Sequence, residues 1–98
     1  MPDKTWKAVE RRIARQFGTE RTGPQGRAVS DVITGEFSIE VKTRKLIPLW
    51  LHAAMDQAER NAVENTMPVV VLHQVGQRSD HDLVVMSLAM FRKLRREK

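Results

Sequence analysis

Asp31, Glu40 and Lys42 are the residues of this chain whose types and spacing suit chemistry on a phosphate. They lie in the stretch Val29 to Lys45, VSDVITGEFSIEVKTRK, where two runs of alternating apolar and polar residues flank Thr34-Gly35. That pattern predicts a β-hairpin with one packed face. Side chains alternate along a strand, so Phe37, Ile39 and Val41 share one face while Ser38, Glu40 and Lys42 share the other. With a two-residue Thr34-Gly35 turn, Asp31 stands opposite Ser38 and joins Glu40 and Lys42 on the polar face. A three-residue loop taking in Glu36 would pair Asp31 with Ile39 and turn the carboxylate to the apolar face, because a one-residue slip reverses every side chain. The converging arrangement is the preferred reading.

Two carboxylates about 4 Å apart repel by roughly 4 kcal/mol at an effective dielectric near 20, so a bare converging pair shifts its pKa or recruits a cation. All-oxygen ligation suits magnesium or manganese, which retain waters and take one or two carboxylates plus substrate phosphate. A lysine beside such an ion can orient or deprotonate a water, or steady the charge growing on phosphorus. The chemistry that fits this set is phosphodiester hydrolysis.

Asp31 followed by Glu40-Val41-Lys42 resembles the core of the PD-(D/E)XK nuclease superfamily, and Ile39 to Lys45, IEVKTRK, is especially similar to the small Holliday junction resolvases. The resemblance covers most of the chain in its order of elements. One position departs: Ser30 stands where the superfamily name has proline, a substitution resolvase-like members tolerate. The resemblance implies a restriction-endonuclease-like fold and a Mg²⁺ or Mn²⁺ ion held by Asp31, Glu40 and the Val41 carbonyl. It further implies Lys42 at the attacking water, a first-helix glutamate (Glu10) near the metal, and a supporting glutamine (Gln57) on the helix after the hairpin. An exposed Gln57 without such a role is the competing reading.

The elements that must position these residues follow from periodicity. Asp3 to Phe17 reads as an amphipathic helix, with Asp3 as N-cap and Trp6, Val9, Ile13 and Phe17 at helical spacing. Glu10 projects inside that apolar arc and needs a partner there. It either reaches the Asp31 and Glu40 site or pairs with Lys7, three residues back. Gly18 ends the helix, and Thr19 to Arg27 is a glycine-rich loop with Arg21 and Arg27 beside it. After the hairpin, Pro48 opens a second helix running to about Asn65, with a stripe of Leu51, Ala54, Met55, Ala58 and Ala62. Val69-Val70-Val71-Leu72 reads as a strand covered on both faces at the centre of the sheet. A polar turn follows, then a strand from Leu83 to Leu88 and a short basic helix. The order α-β-β-α-β-β-α describes an α/β fold, a small central mixed sheet flanked by helices. A further short strand near Arg27 would make the hairpin three-stranded. His73, Asp80, His81 and Asp82 fit no ligand spacing well, and a turn explains them.

Composition narrows the partners. Seventeen Lys and Arg against 12 Asp and Glu give +5, which favours a polyanion such as nucleic acid. Lys7, Arg11, Arg27, Arg44 and Lys45 are the expected DNA contacts, with the tail from Arg92 to Lys98 as a further candidate. The 98 residues predict one domain, long enough to bury ~65% of its unfolded surface. No stretch approaches the ~18 apolar residues that span a bilayer, and Met1 to Lys7 lacks a signal peptide's apolar run. With no cysteine in the chain, a cytoplasmic location is expected.

The leading expectation is a metal-dependent, structure-selective DNA endonuclease, a homodimer acting on branched DNA. A twofold protein places two sites on a roughly twofold junction. The alternatives are another nuclease of the superfamily acting on flaps, nicks or ends, and a non-catalytic nucleic-acid-binding module. Clustered carboxylates that repel DNA argue against the last.

Overall fold

The computed structural model describes residues 5–22 and 30–96. Asp3, Arg27 and Lys98 therefore lie outside the described residues. The chain is mixed helix and strand, with three helices and two antiparallel two-stranded sheets. It divides into two compact units, Met1–Lys45 with one helix and a strand pair and Leu46–Lys98 with two helices and a strand pair.

In the first unit, helix α1 spans Thr5–Gln16. Its buried face runs through Glu10, Ala14 and Phe17, so the helix turns the Glu10 side inward, with Val9 and Ile13 only half-buried beside it. Gly18 ends the helix at φ 72°, a left-handed conformation that costs glycine nothing. There the Thr19 N–H reaches back to the Ala14 carbonyl and the Gly18 N–H to that of Arg15, both at 3.0 Å. These bonds satisfy carbonyls the last turn would leave without partners. The chain then turns into an extended segment that bridges Arg21 to Val32, with the Thr22 N–H donating to the Asp31 carbonyl at 2.9 Å. A third pairing beside the hairpin thus comes from Arg21 and Thr22, and the expected strand near Arg27 lies outside the described residues.

Strands β1, Val32–Ile33, and β2, Ser38–Ile39, pair antiparallel with Val32 opposite Ile39 and Ile33 opposite Ser38. This register corrects the expected Thr34-Gly35 turn. The Thr34 hydroxyl accepts the Glu36 and Phe37 N–H groups at 3.0 and 2.9 Å, and the Thr34 N–H donates to the Phe37 carbonyl at 2.8 Å. The side chain of Thr34 thereby centres the turn on Gly35-Glu36. Relative to the expected pairing the register shifts by two residues, an even step that preserves which face each side chain takes. Val32 is fully buried against α1, and the Phe17 and Phe37 rings meet edge to face, centroids 6.5 Å apart.

In the second unit, α2 spans Leu49–Asn61, entered from Pro48, whose carbonyl accepts the Leu51 and His52 N–H groups. It ends earlier than the apolar stripe predicted, because Ala62 is already extended and exposed. Strands β3, Val70–Leu72, and β4, Leu83–Val85, form the second sheet, with Val71 opposite Val84. A 3₁₀ turn, Ser79–His81, lies between them, and α3 spans Leu88–Arg96. Helix α2 packs on β3. Val71 and Val84 nevertheless remain 58% and 64% exposed. The expectation that Val69 to Leu72 is a central strand covered on both faces is corrected: among the described residues β3 pairs with β4 alone, in a two-stranded sheet. An apolar run records a demand for cover without naming what supplies it. Among the described residues the strands pair as two antiparallel two-stranded sheets, one in each unit. No helix among the described residues is long and apolar enough to cross a membrane.

Candidate active site

The expected chemistry-bearing residues of the first unit come together. Trp6, Glu10, Asp31, Glu40, Val41, Lys42, Thr43 and Arg44 line one open pocket. Three segments supply them: the inward face of α1, the start of β1, and the chain leaving β2. The shifted register accounts for much of this, because continuing the ladder past Val32 and Ile39 brings Asp31 opposite Glu40 rather than opposite Ser38.

Asp31 Oδ2 accepts the Val41 N–H at 2.7 Å. A carboxylate bonded to a backbone N–H is held in orientation, and its second oxygen stays available to a ligand. Glu40 and Lys42 are exposed on the same side of the pocket, with Val41 between them.

Glu10 is buried, at 4% exposure, and it does not pair with Lys7. Its Oε1 accepts from Arg21 Nε at 3.1 Å, across eleven residues of sequence. Arg21 also lies over the Trp6 ring, 5.6 Å from its centroid, and the Lys7 ammonium sits 5.4 Å from the same centroid. The ring thus carries cationic groups in contact with its negative π-face. The pairing of Arg21 with Glu10 is the feature that sequence reasoning missed. A carboxylate on a buried helix face demands a cation, and this one lies beyond the helical neighbours.

The donors that line the pocket are carboxylate, carbonyl and hydroxyl oxygens, without imidazole or sulfur. Such a set fits a hard divalent cation. Among the described residues, no three His, Cys, Asp or Glu side chains stand close enough to form a metal-binding group. The physical reason lies in the partners: Arg21 holds Glu10, the Val41 N–H holds Asp31, and Glu40 extends into solvent.

The other expected contacts are placed as follows. Arg44 lines the pocket and donates to the Thr43 carbonyl, while Lys45 is exposed just beyond. Arg11 lines a second pocket with Arg15, Thr19, Glu20 and Arg21. Arg27 lies outside the described residues. Gln57 belongs to the second unit and is exposed on α2. His73 and Asp82, set aside as turn residues, hydrogen-bond at 2.7 Å one step beyond the β3–β4 ladder. No family model, curated protein or solved structure matches the chain.

Proposed function

We propose that this protein is a metal-dependent, structure-selective DNA endonuclease that resolves four-way junctions, with a restriction-endonuclease-like fold and a homodimeric assembly. The observation that carries the reading is the sharing of one pocket by Glu10, Asp31, Glu40, Val41 and Lys42, residues drawn from three separate segments. A binding module has no use for carboxylates that face the polyanion, whereas phosphodiester hydrolysis needs them.

In this reading Asp31, Glu40 and the Val41 carbonyl hold Mg²⁺ or Mn²⁺, and the ion supplies charge neutralisation at the phosphate and acidifies water. The chain's own residues do the rest. The Asp31 to Val41 hydrogen bond fixes one acid against the backbone that carries the second. Lys42, exposed at the pocket, orients or deprotonates the attacking water. Glu10 stands in the pocket wall. Lys7, Arg44 and Lys45 bind phosphates flanking the scissile one, which sets position without reading bases.

Incubation with labelled four-way junction, flap and linear duplex, with magnesium or with chelator, tests this proposal. Paired symmetric nicks on the junction alone, dependent on magnesium, are expected, together with a dimer in sedimentation at micromolar concentration. Cleavage of flaps or ends in preference to junctions would reassign the substrate. Binding without cleavage of any of the three would leave a nucleic-acid-binding module.

A further inference from the structure

Arg21 faces two sites at once. Its Nε donates to the buried Glu10 Oε1 at 3.1 Å in the wall of the candidate active site, and it also lines the pocket formed with Arg11, Arg15, Thr19 and Glu20. That second pocket is lined by three guanidinium groups and one carboxylate, a basic lining suited to a phosphate, while Arg21 is at the same time paired with Glu10. A guanidinium presents a fork of donors that matches phosphate oxygens as well as it matches a carboxylate.

A carboxylate as buried as Glu10 requires a neighbouring cation, and without a metal Arg21 is the one that supplies it. A divalent ion held by Asp31 and Glu40 in the same pocket changes that balance. It brings two positive charges toward Glu10, compensates the carboxylate, and repels the guanidinium.

We propose, building on the nuclease reading, that Arg21 is a positioning residue that links cation binding to DNA binding. Without the cation it neutralises Glu10; with the cation it is released to a DNA phosphate at the Arg11 and Arg15 pocket. Linkage of this kind is reciprocal, so DNA strengthens cation binding by the same factor by which the cation strengthens DNA binding. The enzyme then assembles its metal and its substrate together, and cation-free protein holds DNA weakly.

The test uses the full chain, calcium as the cation probe and a labelled four-way junction as the phosphate probe. Calorimetry reads calcium binding and fluorescence anisotropy reads junction binding, so neither depends on cleavage. Wild type is expected to bind the junction about tenfold more tightly with calcium, and calcium about tenfold more tightly with the junction. In Arg21→Gln the factor falls to about twofold or less, whereas Arg21→Lys keeps part of it. Glu10→Gln, which removes the charge that detains Arg21, is expected to bind the junction without calcium as tightly as wild type does with it. That variant retains Arg21, whose guanidinium keeps partial contact with solvent and can still donate to the glutamine oxygen, so it answers the question even where Arg21→Gln fails to fold. The emission of Trp6, isolated by Trp50→Phe, is expected to shift on adding calcium and to stop shifting once Arg21→Gln is added. Retention of the tenfold factor in Arg21→Gln, or cation-free junction binding by Glu10→Gln no tighter than that of wild type, would overturn the linkage. Wild type that binds calcium and cleaves DNA with a linkage factor near one loses the coupling but keeps the nuclease reading. Wild type that neither binds calcium nor cleaves in magnesium loses both.

Discussion

The Asp31 carboxylate takes the Val41 N–H at 2.7 Å, which ties the first acid of the hairpin to the backbone between the second acid and the lysine. One bond therefore serves both the fold and the site. Hydrogen bonds to a charged acceptor contribute about 1.5–3 kcal/mol net. Asp31→Ala is expected to lower the unfolding free energy by about 1.5 kcal/mol, and Asp31→Asn, which keeps an acceptor oxygen, by less than half of that. Urea midpoints at unchanged m-value measure both. Equal losses in the two variants would show that the bond contributes little in solution.

Thr34 sets the register that brings Asp31 opposite Glu40, through the two N–H groups its hydroxyl accepts. Thr34→Val keeps the shape and removes the acceptor. It is expected to cost about 1 kcal/mol and to reduce cleavage through loosened pairing, while Thr34→Ser retains most of both. Urea unfolding and initial cleavage rates report the two effects. A Thr34→Val variant as stable and active as wild type would place the turn signal elsewhere.

The Glu10 to Arg21 pair is open to a double-mutant cycle. Arg21→Ala strands a nearly buried carboxylate and is expected to cost about 2–3 kcal/mol, below the range for fully buried pairs because Arg21 keeps partial contact with solvent. The double variant Glu10→Gln with Arg21→Ala is expected to recover at least 1 kcal/mol of that loss. Additive losses would show the two residues acting independently.

Arg44 and Lys45 follow the acids along the chain and are exposed, and in the proposed nuclease they contact phosphates beside the pocket that Arg44 lines. Replacing either with alanine is expected to weaken DNA binding evenly across sequences and to reduce the slope of log K against log salt by about one. Anisotropy titrations at several salt concentrations measure this. An unchanged slope would remove that residue from the phosphate path.

The hairpin and its polar face were legible in the sequence because period-two alternation binds Glu40 and Lys42 to one side whatever the turn does. The turn itself was not, since the hydroxyl of Thr34 competes for backbone N–H groups in a way that a search for glycine pairs overlooks. Glu10 was legible as a misplaced charge on α1, yet its partner lay beyond the helix, where periodicity carries no information. The run at Val69 to Leu72 announced a strand correctly and its surroundings wrongly. Apolar composition fixes how much cover a strand wants, and only tertiary pairing fixes how much it receives, as the exposed Val71 and Val84 demonstrate.

The proposed role of Asp31 and Glu40 is to serve a divalent ion at one scissile phosphate. Its most direct test compares magnesium-dependent cleavage of a labelled four-way junction by wild type, Asp31→Asn and Glu40→Gln, with junction binding measured alongside. Wild type is expected to cut and each variant to lose at least about a hundredfold in rate while still binding. Cleavage by both variants at the wild-type rate would contradict the account, as would wild-type cleavage undiminished by chelator.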